Sequence, residues 1–144
     1  MKKAIRVLLI WIFGAAAIIS CDKEPIVPQV PVNIRINLDI YNELLFSGNF
    51  KFLLGGYGGI IVICVLPYID EFNRGEYYAF DATCTYEVDQ GCTVKYENDF
   101  LQVVCPCCGS QYSLYGGTVM NPPASYPLHR YNVSVYQRML RIYN

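Results

Sequence analysis

Five cysteines in two short stretches constrain the fold of this chain more than any other feature. Cys84 and Cys92 lie in FDATCTYEVDQGC, and Cys105, Cys107 and Cys108 lie in VVCPCCGSQYSLYGG, where a proline separates the first two. Thiols this close along a chain are used as metal ligands, as disulfides or as a mixture of both. Any fold that the chain adopts has to accommodate one of these outcomes.

The first twenty residues are typical of an export signal. Three basic residues precede an apolar run from Val7 to Ile19, which has the size of a signal-peptide core and is short for a membrane span. The run leads into Ile-Ile-Ser-Cys, which resembles the lipobox of bacterial lipoproteins, where cleavage leaves an N-terminal cysteine that carries a diacylglycerol. We therefore expect residues 1–20 to be a lipoprotein signal peptide and Cys21 to be the lipid attachment site. The mature protein would be anchored to a membrane of the bacterial cell envelope and face a non-cytoplasmic compartment.

Export affects how the other cysteines are interpreted. Disulfides persist outside the cytoplasm, so crosslinks are the first expectation for these thiols and metal binding is the second. Cys64 is an exception, because it lies inside the apolar run IIVICVL and is expected to be a buried small hydrophobe.

The chain after the signal is predicted to be a tether followed by one all-β domain. Residues 21–31 carry three prolines and no periodicity, which is typical of a stiff tether. In the domain, residues 32–144, apolar and polar residues alternate from Val32 to Ile40, which predicts a half-buried strand. Further strands are predicted at Ile60 to Leu66, Glu76 to Asp81, Thr93 to Tyr96, Leu101 to Cys105, Gln111 to Tyr115, Tyr131 to Tyr136 and Met139 to Tyr143. Turn residues separate the strands about every ten residues, as in a small antiparallel sandwich or barrel.

Length and charge exclude some classes of function. A chain of 144 residues is expected to form one domain. Its formal net charge of −1 offers no broad basic surface for phosphates, which argues against a nucleic-acid partner.

The second cysteine stretch resembles the Rieske iron-sulfur family. That family carries C-x-H and C-x-x-H in two loops at the tip of a small antiparallel sandwich, and its second loop often reads C-P-C-H-G-S. CPCCGSQYSLYGG matches this loop at Cys105, Pro106, Cys107, Gly109, Ser110, Tyr112 and the Gly116-Gly117 pair. Cys84 opens the first loop, and PPASYPLHRYNV is similar to the family's G-P-A, P-L and aromatic segment, with Pro122 where glycine is usual. The resemblance covers about residues 57 to 144 and implies a Rieske-like β fold.

The departures from the family fall on its histidine ligands. Tyr86 and Cys108 stand where the family has its two histidines. A Rieske [2Fe–2S] centre owes its high potential to two imidazoles on one iron. The chain has a single histidine, His129, and therefore an ordinary histidine-ligated cluster is excluded by counting.

Three arrangements of the tip cysteines remain open. Cys84, Cys92, Cys105 and Cys108 would form a four-thiolate site for zinc or iron, with spacing C-x7-C-x12-C-x2-C. Alternatively, as the resemblance implies, Cys92 and Cys107 form the disulfide that links the two loops in many Rieske proteins. Cys84, Cys105, Cys108 and Tyr86 would then lie near the cluster position, where they would hold a metal with an unusual ligand or where two of the thiols would pair. In the third arrangement all tip cysteines are crosslinks and no metal binds. Adjacent residues of an extended segment point to opposite faces, so Cys107 and Cys108 are expected to have different partners.

Two hypotheses of function follow. The first, implied by the resemblance, is an envelope lipoprotein with a metal-binding or iron-sulfur electron-transfer module and an unknown redox partner. The second is a metal-free lipoprotein whose disulfide-stapled tip acts as an interaction surface, which the absence of histidines from the two ligand positions favours. An enzyme is the least supported class, because the oxygenases that resemble this domain need a separate catalytic iron domain.

Overall fold

The computed structural model describes residues 26–97 and 101–144 as a set of short antiparallel strands. The lipid attachment site predicted at Cys21 and the signal peptide lie outside the described residues. The strands are β1 (Asn33–Asn37), β2 (Phe50–Leu53), β3 (Ile60–Leu66), β4 (Glu76–Asp81), β5 (Lys95–Tyr96), β6 (Gln102–Val104), β7 (Gln111–Ser113), β8 (Val119–Asn121), β9 (Arg130–Tyr136) and β10 (Met139–Tyr143), with 3-10 turns at Asn42–Leu45 and Val88–Gln90. In these two ranges no helix has the length and apolar character needed to cross a membrane.

The strands form two antiparallel sheets. The large sheet has the order β1-β10-β9-β4-β3-β2, and the small sheet has the order β5-β6-β7-β8. The all-β class expected from the sequence is therefore confirmed, as are the strands at Ile60–Leu66, Glu76–Asp81 and Met139–Tyr143.

β3 is apolar along most of its length because both of its faces are covered. Ile60, Val62 and Cys64 point into one core cluster, while Ile61 and Ile63 point into a second cluster that the small sheet shares. Successive residues of a strand face opposite sides, so a strand between two cores needs apolar residues on both. Cys64 is fully buried in the first cluster, as expected of a small hydrophobe.

The predicted first strand is too long at its C-terminal end. β1 ends at Asn37, whose side-chain oxygen accepts the N–H of Asp39 at 2.8 Å, while its carbonyl accepts the N–H of Ile40 at 3.1 Å. Leu38 still donates its N–H to the Arg138 carbonyl at 2.9 Å, and from Asp39 onward the local turn replaces the sheet partners. Ile40 is consequently 75% exposed, although the alternation continues through it.

The small sheet belongs to a segment inserted between two neighbouring strands of the large sheet. β4 pairs with β9 at Ala79 with Tyr131 and at Phe80 with Arg130. The chain between them, residues 82–129, contains the small sheet and every tip cysteine; we call it the tip segment. The N–H of Asp81 donates to the carbonyl of His129 at 2.8 Å, so the two ends of the tip segment lie side by side.

Asp81 fixes the base of the tip segment through a complete set of hydrogen bonds. Its carboxylate is fully buried and accepts the N–H groups of Tyr57 at 2.7 Å, Gly58 at 3.1 Å and Thr83 at 2.9 Å. It also accepts the hydroxyls of Thr83 and Tyr131. Burial alone would raise the pKa of Asp81, but the hydrogen bonds from Thr83, Tyr131 and Tyr57 outweigh it and hold the pKa below its usual value. The start of the tip segment is thereby bonded to both the loop before β3 and the strand β9.

Candidate thiol site

Three cysteines of the tip segment come together at its loops. Cys84 follows β4, Cys105 follows β6, and Cys108 lies in the turn before β7. Their Sγ atoms all lie within 4.8 Å of one another, and the Sγ atoms of Cys84 and Cys108 are 3.6 Å apart. Cys84 and Cys105 are buried, whereas Cys108 is half-buried. We call these three residues the thiol triad.

The turn between β6 and β7 sets the directions of its cysteines. The N–H of Cys105 donates to the Ser110 carbonyl at 2.9 Å, and the N–H of Gly109 donates to the Cys105 carbonyl at 2.9 Å. Gly109 has a φ of +77°, a conformation that glycine adopts without the steric cost of a Cβ. The turn leaves Cys107 exposed and Cys108 half-buried, so these adjacent residues have different partners, as their adjacency predicted.

A disulfide joins the two loops. Cys92 is bonded to Cys107, with their Cα atoms 6.4 Å apart; this is the pairing that the family resemblance implied, and we call it the clamp disulfide. The N–H of Cys84 donates to the carbonyl of Cys92 at 2.9 Å, which closes the first loop behind the bond. Because Cys92 is engaged in the clamp, the four-thiolate arrangement is not the one observed. The fully crosslinked arrangement is not observed either, because Cys84, Cys105 and Cys108 are free thiols.

Tyr112 lies beneath the thiol triad and supports Cys84. Its hydroxyl is 3.4 Å from Cys84 Sγ, accepts the N–H of Thr85 at 3.1 Å and lies 3.0 Å from Thr85 Oγ1. Thr85 Oγ1 in turn donates to the Tyr126 carbonyl. Burial raises the pKa of Tyr112 to about 12 and the pKa of Cys84 to about 12, the hydrogen bond from Tyr112 offsetting only part of the effect on Cys84. Both groups are therefore neutral at physiological pH.

Ser110 supports Cys108, whose pKa is shifted in the opposite direction from that of Cys84. Its Oγ lies 3.0 Å from Cys108 Sγ and accepts the N–H of Ala124 at 2.9 Å. Burial raises the pKa of Cys108, but the Ser110 hydroxyl and backbone N–H, together with Cys105 and Cys84, outweigh it and hold the pKa below its usual value. A hydroxyl that already accepts a hydrogen bond is free to donate its own proton to the sulfur. Cys108 is thus the first thiol of the pair Cys84 and Cys108 to ionise.

Tyr86 and His129, which were considered as ligands from the sequence, are not positioned like the three cysteines. The side chain of Tyr86 is 37% exposed, and the part of Tyr86 that faces Cys84 Sγ is its backbone N–H. His129 is half-buried and packs edge-on to the ring of Tyr131 at 5.0 Å between centroids. The structure therefore brings together the three cysteines of the predicted ligand set, whereas the Tyr86 side chain is more than one-third exposed.

The structural role of Tyr112 was not identified from the sequence. There it appeared only as an aromatic residue that matches the family's second loop. Nothing in the residue pattern indicates that a tyrosine four residues after Cys108 reaches back under Cys84, because the contact depends on how β7 pairs with β6. The position within the motif C-x-x-C-G-S-x-Y is the one signal that could have suggested it.

The donor set of the thiol triad does not fit a histidine-ligated Rieske cluster. Such a cluster needs two imidazoles on its second iron, and the single histidine of the chain is engaged against Tyr131. An all-thiolate binuclear cluster needs two pairs of ligands, whereas the triad offers three sulfur atoms around one point. The arrangement fits one thiophilic metal ion better than it fits two.

The fold is shared with solved structures of Rieske proteins. No protein-family model matches the sequence, and no curated protein matches it either. The cyanobacterial plasma membrane Rieske protein PetC3 from Synechocystis has a TM-score of 0.54 at 22% identity, with 81% of this chain and 100% of that chain covered.

Two further structures agree with it. A chain from the complex of reduced oxygenase and oxidized ferredoxin in carbazole 1,9a-dioxygenase has a TM-score of 0.51 at 16% identity, covering 78% of this chain and 93% of that chain. A chain from a hyperthermophilic respiratory Complex III has a TM-score of 0.51 at 16% identity, covering 97% of this chain and 98% of that chain. The chain therefore has a Rieske-like β fold, and at these identities the likeness concerns the fold alone.

Proposed function

We propose that this protein is a lipid-anchored protein of the bacterial envelope whose tip binds one thiophilic metal ion through Cys84, Cys105 and Cys108. The observation that supports this proposal is the convergence of the three Sγ atoms within 4.8 Å of one another. The reactivity of a free cysteine, more than its packing, usually decides its role, so three thiols around one point support a chemical function.

The distances suit a tetrahedral thiolate site. A metal–sulfur distance of about 2.3 Å places two sulfur atoms of a tetrahedron about 3.8 Å apart. The Sγ atoms of Cys84 and Cys108 are 3.6 Å apart, so an ion would require only small shifts of the side chains. The fourth position would be filled by an exogenous ligand or by the phenol of Tyr86, the remaining residue of the ligand set predicted from the sequence.

The charges of the triad favour binding in two stages. Cys108, whose pKa is held low, offers the first thiolate. Cys84, whose pKa burial raises to about 12, has to lose its proton as the ion binds, because metals coordinate thiolates and release protons on binding. We therefore expect the metal affinity to increase with pH across the neutral range.

Iron would make the site an electron-transfer centre, and zinc would make it structural. Support for the redox function comes from the fold, because the solved structures that share it include a plasma membrane Rieske protein and a chain of an oxygenase–ferredoxin complex. We propose iron as the bound ion and a protein as the redox partner. An iron-sulfur cluster with altered ligands is the alternative occupant, and it requires a fourth protein ligand, for which Tyr86 is the candidate.

The location rests on the first residues of the chain. The apolar run and the lipobox-like IISC before Asp22 support cleavage and acylation at Cys21. The proline-rich segment that follows ends where Asn144 holds the chain, since the Val32 N–H donates to Asn144 Oδ1 at 3.0 Å and Asn144 Nδ2 donates to the Val30 carbonyl at 2.7 Å. The domain would thus be held by its N-terminal end, with the tether between it and the membrane.

Metal analysis of the full chain tests the proposal. The protein is produced with iron in excess, purified anaerobically in detergent and examined for iron, zinc, inorganic sulfide and visible absorption. We expect about one iron per chain, no sulfide and thiolate-to-iron absorption. Cys105→Ser should abolish the metal and the absorption, while the control Cys64→Ala, in the other core cluster, should keep both.

Other results of this experiment have definite meanings. Two irons with two sulfides would indicate the cluster with altered ligands. Zinc in place of iron would retain the site and remove the electron-transfer function. A protein free of both metals would contradict the proposal and favour the second candidate, a metal-free interaction protein, which the clamp disulfide supports because it joins the two loops without a metal.

A further inference from the structure

We propose that the clamp disulfide exchanges with Cys105, so that the tip switches between two disulfide forms. Cys105 belongs to two sulfur groups at once. Its Sγ lies within 4.8 Å of those of Cys84 and Cys108, and equally within 4.8 Å of those of Cys92 and Cys107. A thiol that lies next to a disulfide acts as the nucleophile in thiol–disulfide exchange once its side chain has turned onto the line of the S–S bond.

The exchange needs no external oxidant or reductant. The Cys105 thiolate attacks Sγ of Cys92, a Cys92–Cys105 bond forms, and the Cys92–Cys107 bond breaks. The electron pair of the broken bond leaves on the Cys107 sulfur, which takes up the proton that Cys105 has lost. One disulfide and the same number of thiols are present before and after the step.

Attack on Cys92 is favoured over attack on Cys107. A bond between Cys105 and Cys107 would join residues separated only by Pro106, and it would release Cys92 and separate the two loops. A bond between Cys92 and Cys105 keeps the loops joined and closes a loop only slightly shorter than that of the clamp, so its entropic benefit is nearly the same. The two disulfide forms are therefore expected to have similar free energies.

The two forms present different chemistry to their surroundings. In the first form Cys107 is oxidised and Cys105 is a buried free thiol. In the second form Cys105 is oxidised, so the thiol triad lacks one member, and Cys107, which lies at an exposed position, carries a free thiol. Exchange thus moves a reactive thiol from the interior to the surface and disables the triad as a ligand set.

This switch does not depend on the proposed metal. The metal-free form is the one in which Cys105 is free to attack, and an ion on Cys105 would block the attack. The exposed thiol of the second form would react with disulfides of low molecular mass or with a disulfide of a partner protein, since the clamp otherwise protects Cys107.

Labelling of the full chain tests the switch. The protein in detergent is treated with a chelator, freed of chelator and reductant, and incubated at neutral pH with a maleimide too bulky to enter the core. It is then acid-quenched and digested with pepsin, and fragment-ion spectra locate the label and the linked cysteines. We expect label on Cys107 together with a Cys92–Cys105 link, increasing with time.

Two variants and the addition of zinc test whether attack by Cys105 causes the labelling of Cys107. Cys105→Ala should reduce the labelling of Cys107 at least tenfold while the clamp disulfide stays intact, and Cys64→Ala should label as the unmodified chain does. Zinc added to the unmodified chain should slow the labelling; if it does not, the metal proposal is weakened while the exchange stands. An absence of Cys107 label and of a Cys92–Cys105 link in the unmodified chain would overturn the exchange, whether or not the variants fold.

Discussion

Asp81 and Cys84 are two buried polar groups that lie three residues apart where the tip segment starts, and they differ in how completely they are hydrogen-bonded. Asp81 accepts hydrogen bonds from the backbone of Tyr57, Gly58 and Thr83 and from the hydroxyls of Thr83 and Tyr131. Cys84 lies in an apolar cluster, and its polar contacts are with other sulfur atoms, with the backbone N–H of Tyr86 and with a phenol that it shares with Thr85. A buried group whose partners are complete has a structural role, whereas incompletely partnered donors at a loop are candidates for binding.

The ionisation of the two groups makes the same distinction. Burial disfavours the charged form of each. For Asp81 the hydrogen bonds outweigh burial and the pKa is lowered, whereas for Cys84 burial prevails and raises the pKa to about 12. The protein supplies the Asp81 carboxylate with enough donors to offset burial, and it does not do so for a Cys84 thiolate.

Removal of the charge at Asp81 should have the largest effect on stability. Asp81→Asn keeps the size of the side chain but loses the charge and points an amide N–H₂ at donors. We expect the free energy of unfolding to fall by about 4 kcal/mol, the range measured when a buried charge network is broken. Chemical denaturation of the metal-free protein at neutral pH measures it.

Asp70→Asn, at an exposed carboxylate, is the control for Asp81→Asn. The pH dependence of stability tests the direction of the pKa shift of Asp81. Asp70 accepts the N–H groups of Phe72 and Asn73 in a surface loop, so Asp70→Asn should cost no more than about 1 kcal/mol. A lowered pKa means that the contribution of Asp81 is complete above the unfolded value of about 3.9 and is lost as the pH falls below it. If Asp81→Asn and Asp70→Asn lower the free energy of unfolding equally, the buried carboxylate of Asp81 has no special structural role.

Loss of the clamp disulfide should have the next largest effect. Cys92→Ser with Cys107→Ser opens a loop with a sequence separation of 15, which corresponds to about 3 kcal/mol in the chain-entropy model. Reduction of the unmodified chain should lower the free energy of unfolding by the same amount, which serves as the control. A change below about 1 kcal/mol would mean that packing alone holds the loops together.

Removal of the Ser110 hydroxyl should have the smallest effect, and on reactivity more than on stability. Ser110→Ala removes one donor from the Cys108 thiolate, so the pKa of Cys108 should rise and its alkylation by iodoacetamide at neutral pH should slow about fivefold. The difference should vanish at alkaline pH, where the thiol is ionised in both proteins. Ser113→Ala is the matched control, because Ser113 Oγ accepts the N–H of Tyr115 at 3.2 Å and has no contact with the triad. Unchanged alkylation would show that Ser110 does not tune Cys108.

Most of the large sheet was predictable from the sequence because its strands are long and buried. β3, β4 and β10 coincide with the predicted strands. β2 and β8 were not predicted, since they have four and three residues and lie at the edges of their sheets. Such strands form because a neighbour offers backbone partners, which no local pattern indicates.

The site was predictable only as far as its motif. The resemblance placed Cys84, Cys105 and Cys108 in one group and Cys92 with Cys107 in another, and the structure brings both groups together. The resemblance did not indicate that Cys105 also lies close to Cys92 and Cys107. It did not indicate either that Asp81 holds the start of the tip segment against the loop before β3 and against β9. Both features depend on contacts across long sequence separations, which follow from the packing of the two sheets.

The side-by-side ends of the tip segment bear on how such a protein can change. The chain leaves the large sheet after Asp81 and returns at His129, and the two are hydrogen-bonded to each other. The loops of such a segment can change in length and in sequence while the strands on either side keep their pairing, provided that the small sheet still covers Ile61 and Ile63 of β3. Chemistry at the loops is thus separable from the two-sheet scaffold, and a histidine-free set of thiols occupies the tip of a Rieske-like frame.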